Sequence, residues 1–165
     1  MPPNLSVPLR REFALSVILK DAATVLQTIL NMPSPPRFTL TIPPGVKGEV
    51  KDPTGQMLGE GFSGVYVGLD DPKGIYVAPE DGDVQADIGV IVLRRRTPEE
   101  GPWVYFAGGR SKTSKALIAA LAIAVAERVG SDIADYSGHW MPQDMFTAND
   151  LLHAMTGSSA FDNCR

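Results

Sequence analysis

The chain is predicted to adopt an α+β fold, a mixed, mainly antiparallel sheet packed against a buried alanine-rich helix and an amino-terminal helix. Three observations carry this reading. Apolar residues alternate at a spacing of two in several short segments separated by turn residues, and residues 116–126 contain no polar residue at all. The length of 165 residues, with 44% hydrophobic and 21% charged residues, is ordinary for one domain.

Taking the elements in order, Phe13, Leu15, Val17 and Leu19 alternate with Ala14, Ser16 and Ile18, so residues 12–19 read as a strand with one strongly apolar face. Asp21 is placed to cap a helix over 21–31, in which Val25, Leu26, Ile29 and Leu30 recur at helical spacing before Pro33, Pro35 and Pro36 stop it. Residues 37–42 resume the alternation, with Phe38, Leu40 and Ile42 on one face. Asp52-Pro53-Thr54-Gly55 and Asp71-Pro72-Lys73-Gly74 each suit a type I turn: the acid can bond the turn amides, proline fixes φ, and glycine relieves the last position. Two hairpins are therefore expected, one joining 46–51 to the segment from Gln56, the other joining 64–69 to 74–78. Gly59-Glu60-Gly61 is expected to bend or bulge the strand between them.

Strands over 86–94 and 102–107, linked by a polar loop, complete an antiparallel meander. A helix over 111–129 ends at Gly130, which suits the left-handed position after a helix. Because the middle of this helix is apolar all round, it is expected at the centre of the core. A short strand over 133–136 follows, and then a last helix opening at Thr147, with Asp150 completing a capping-box pair. The whole is read as one domain, with residues 1–10 and 157–165 loosely ordered.

The net charge of -4 argues against broad nucleic-acid binding, which needs a basic face to neutralise phosphates. The longest apolar run, of 11 residues, is too short to cross a bilayer as a helix, which takes about 20. Pro2, Pro3 and Pro8 interrupt the first residues, so no secretory signal is read, and the one cysteine, Cys164, fits a reducing compartment. A cytoplasmic location is expected.

Two local features stand out as candidate sites. Gly108 and Gly109 join a predicted strand to a helix whose first residues include Arg110, Ser111, Lys112 and Lys115, where free amides and positive charge can meet an anion. The P-loop spacing is absent there, so an enzyme or sensor holding a phosphorylated ligand is the alternative reading and a solvated basic turn the plainer one. The second feature is acidic: Asp70, Asp71, Glu80, Asp81, Asp83 and Asp87 stand against Lys73 alone, a net of -5. Such a patch either solvates a loop or speeds encounter with a basic protein. Trp140, in a predicted loop, is a candidate anchor for a partner if exposed, and otherwise covers the end of the alanine-rich helix.

Catalytic signatures are incomplete. Asp132, Asp135, His139 and His153 match no compact zinc spacing, no G-x-S-x-G elbow is present, and Cys164 has no adjacent base. No metal or cofactor is expected, and the residues point to a binding protein rather than an enzyme.

From Ser114 through Leu152 the chain has an alanine-rich helix, then Gly130-Ser131-Asp132-Ile133-Ala134-Asp135, Trp140 and Thr147-Ala148-Asn149-Asp150-Leu151-Leu152. This succession resembles bacterial immunity proteins from polymorphic-toxin systems. The resemblance implies stoichiometric inhibition of a cognate toxin domain, with no cofactor and no turnover. From their charge and loop position, and not from the resemblance, the acidic residues and Trp140 are the expected partner-binding set, and a basic toxin would suit that charge.

Overall fold

The computed structural model describes residues 4–41, 57–59, 62, 64–70, 88–94, 99, 101–108, 112–135 and 140–157. The architecture is α+β. Nine strands form a seven-stranded sheet and a separate two-stranded ribbon among the described residues, and three helices pack with them. The strands are β1 (Leu5–Pro8), β2 (Phe13–Ala14), β3 (Arg37–Thr41), β4 (Met57–Leu58), β5 (Val65–Asp70), β6 (Ile88–Arg94), β7 (Trp103–Gly108), β8 (Ile133–Ala134) and β9 (Met145–Phe146). The helices are α1 (Leu15–Leu30), α2 (Lys112–Val129) and α3 (Ala148–Thr156). The large sheet runs β3-β5-β6-β7-β1-β8-β9, and β2 pairs with β4. Each described pairing is antiparallel, so the expected mixed character is not found there.

The alanine-rich helix is the centre of the core. Every residue of α2 from Thr113 through Ala126 is buried, with β1, β6, β7 and β8 beneath it and α1 and α3 against its other sides. Small alanine side chains let those neighbours approach on all sides, which is why this helix has no polar face. Its end is set by Gly130 at φ +66 and by Ser131 N–H, which donates to the Ala126 carbonyl at 3.1 Å. The capping box of α3 is formed as read: Thr147 Oγ1 accepts from Asp150 N–H at 3.0 Å, and the Asp150 carboxylate accepts from Thr147 N–H at 3.1 Å.

Two segments fold differently from the expectation. Residues 12–19 are not one strand: only Phe13 and Ala14 are extended, and α1 begins at Leu15. The buried set Leu15, Ile18, Leu19, Ala22, Ala23, Leu26 and Ile29 follows a helical period that starts inside the apparent alternation. Asp21 therefore lies within α1 and caps nothing; its carboxylate accepts from Arg128 Nε at 2.6 Å and from Arg128 Nη2 at 3.3 Å, tying α1 to the end of α2. Arg11 reinforces that corner, donating from Nη2 to the Arg128 carbonyl at 2.7 Å.

Of the segment 1–10, expected to be loose, the described residues 4–10 are ordered. β1 is an interior strand between β7 and β8, with Leu5 and Val7 fully buried and Leu9 only 6% exposed. Pro8 is accommodated because it closes the strand rather than interrupting it.

The antiparallel pairing of β6 with β7 is as predicted, but β5, expected to pair with 74–78, pairs with β3 and β6. Both predicted turns, 46–51 and 74–78 lie outside the described residues, as does 158–165. β4, at the place expected for the second arm of the first hairpin, pairs with β2.

Candidate functional site

Strand directions bring the sequence-derived candidates to one end of the large sheet. β5 ends at Asp70 beside the start of β6, whose Gly89 is in register with Gly108 at the end of β7. Phe106 faces Leu5 at the start of β1, and Ser6 faces Ala134 at the end of β8. Neighbouring strands lie about 4.8 Å apart, so the ends of β5 and β7 are separated by about 10 Å and those of β5 and β8 by about 19 Å. The acidic connection thus leaves the sheet at Asp70 and returns at Ile88 on the end where Gly108 leads into α2 and where β8 delivers Asp135. Asp71, Glu80, Asp81, Asp83 and Asp87 themselves lie outside the described residues, as do Gly109, Arg110 and Ser111. Asp70 holds the register position opposite Arg37.

Trp140 is at the same end but is not an exposed anchor. It is 7% exposed and belongs to the hydrophobic core: the Trp140 backbone N–H donates to Asp135 Oδ2 at 2.8 Å, and Asp135 N–H donates to the Asp144 carbonyl at 2.8 Å. Asp135 is fully buried and acts as the internal clamp of this loop. The indole Nε1 is buried without a hydrogen-bond partner among the described residues.

The start of α2 carries no acid in its first turn, and Lys112 is exposed. Thr113, Ser114 and Lys115 are buried, and each of these three, like Lys112, already has an interaction partner. Elsewhere, His153 and Asp132 are exposed, His139 and Cys164 lie outside the described residues, and no group of three metal-binding side chains comes together among the described residues. No helix of the described residues is long and apolar enough to cross a membrane.

Trp103 and Tyr105 are half-buried. Their neighbours Val104 and Phe106 are fully buried, so the strand alternation puts the two aromatic residues on the sheet face away from α2.

One surface groove was not legible in the sequence. It has a volume of about 560 Å³; Ser16, Leu19, Lys20, Ala23 and Thr24 of α1 form one wall, and Pro35, Pro36, Arg37 and Phe38 form the other. Pro35 and Pro36 signalled only the end of a helix, and Ser16, Leu19 and Lys20 fell at or beside a segment read as a strand, so no signal joined them. Comparison with known protein families, curated proteins and solved structures finds no match for this chain.

Proposed function

We propose that this protein acts by binding another protein, most specifically as a cytoplasmic immunity protein that inhibits a cognate bacterial toxin stoichiometrically and without a cofactor. The observation that carries the reading is that the segment from Asp70 to Asp87, net -5 in the sequence, is bounded by two adjacent strands at one end of the sheet, leaving at Asp70 and returning at Ile88. Concentrated charge of one sign raises association rate more than it raises affinity. The partner-binding set is Asp70, Asp71, Glu80, Asp81, Asp83 and Asp87. Trp140 supports this end from within and makes no direct contact.

Co-expression with a toxin domain, if the neighbouring gene encodes one, tests the reading. Relief of toxicity and co-purification are expected, and Asp81→Lys with Asp83→Lys is expected to slow association and flatten its salt dependence. Unrelieved toxicity with no co-purification removes the inhibitor reading. The alternative, a phosphorylated ligand at Gly108, Gly109, Arg110, Ser111 and Lys112, is less favoured because the buried polar side chains of that helix start already have partners. It predicts that phosphate or a nucleotide raises the thermal midpoint, and that removing Arg110 and Lys112 abolishes the rise.

A further inference from the structure

We propose that the groove between α1 and the 35–38 segment binds a small amphipathic carboxylate, an apolar body carrying one anionic head. This site adjoins the acidic sheet end, where Arg37 is in register with Asp70, but does not depend on the inhibitor reading. Its volume of about 560 Å³ falls in the range of small-molecule sites, about 300–1,000 Å³. The α1 wall from Ser16 to Thr24 runs about 12 Å, two turns of helix on one side. Leu19 and Ala23, each 8% exposed, and half-buried Phe38 give it an apolar base, while Pro35 and Pro36 hold the opposite wall with fixed φ. A wall with so little freedom loses little entropy when a ligand settles on it.

The charge of the lining selects the head group. Among the described residues, Lys20 and Arg37 are the charged lining residues, one on each wall, and no acid lines the groove. Asp21, next to Lys20 in sequence, is held by Arg128. Asp70 holds the register position opposite Arg37, so the preference for an anion rests most on Lys20. Two lining cations, one of them in register with an acid, suit a head of a single negative charge, which favours a carboxylate over a phosphate monoester carrying about -1.5 to -2. A guanidinium and an ammonium both donate charge-assisted hydrogen bonds to such a head. An inorganic anion would leave the apolar base wet, and a neutral alcohol would leave both cations unused.

Titration of the full chain with octanoate, followed by backbone amide NMR, tests the proposal. Saturable shifts at Leu19, Ala23 and Phe38 are expected, with acetate and octanol each binding at least tenfold more weakly. Lys20→Gln with Arg37→Gln, both exposed positions, is expected to keep the thermal midpoint and weaken octanoate at least tenfold. Ser16→Trp, also exposed, is expected to fill the groove and abolish binding while retaining both charges. Absence of saturable shifts, equal binding of octanol, or octanoate binding that survives both variants overturns the proposal. A silent titration together with a concentration-dependent dimer that the charge variant disperses assigns the groove to a second copy, and equally overturns it.

Discussion

At the scale of single residues, stability rests on a few positions whose substitutions act by different physics. Trp140 keeps a buried indole N–H without a partner among the described residues. Trp140→Phe removes that orphan donor and keeps most of the ring, so it is expected to change stability by less than about 1 kcal/mol, whereas Trp140→Ala costs about 3–5 kcal/mol. Urea unfolding of the two variants separates the contributions of ring and donor. Gly130 has nothing within 4 Å of an added Cβ, so Gly130→Ala tests the positive φ alone and is expected to cost about 1 kcal/mol. Thr147→Ala removes the exposed capping hydroxyl of α3 and is expected to cost about 1 kcal/mol by the same measurement. The cap was legible because its two members sit three apart ahead of an apolar pair. The inward turn of Trp140 was not, because it depends on Asp135, whose role as a buried acceptor has no local signature.

At the scale of elements, α2 and α1 show what periodicity can and cannot tell. An uninterrupted apolar stretch admits only a buried environment, so α2 was readable end to end within a residue. Ala120→Asp is expected to cost on the order of 3 kcal/mol or more by placing an unpaired charge in that core, visible as insoluble protein or a collapsed thermal midpoint. The segment around Leu15 is different, because Leu15, Ile18, Leu19 and Ala22 fit a helix while Phe13, Leu15, Val17 and Leu19 fit a strand. The tie was broken by tertiary packing on α2, to which the longer helix brings a complete apolar side. Assigning Asp21 as a cap then followed from the wrong start, although its real partner, Arg128, lies on another helix and has no sequence marker.

At the scale of the whole molecule, the sheet end shared by Asp70, Gly108 and Asp135 appears only once strand order is known. The charge count was readable; its placement beside the helix start follows from the antiparallel order β5-β6-β7, and bringing Asp135 to the same end required β1 between β7 and β8. The prolines near residue 1 hid that strand, since a four-residue element with one proline resembles a loose tail. Deleting residues 1–9 is expected to abolish the cooperative thermal transition: truncating buried leucines costs about 2–5 kcal/mol each, and the chain would lose Leu5, Val7 and Leu9 together from a total stability of about 5–15 kcal/mol. The same strand also orders events in time. Leu5 is made early, yet its partner Phe106 is translated much later and Ala134, opposite Ser6, later still. A ribosome-bound chain must therefore carry an apolar segment with no strand to join until most of the protein has emerged, and sheet closure becomes a late, long-range step. Nascent chains arrested before residue 103 are expected to remain sensitive to protease throughout this region, with protection arriving only after residue 134 has cleared the exit tunnel.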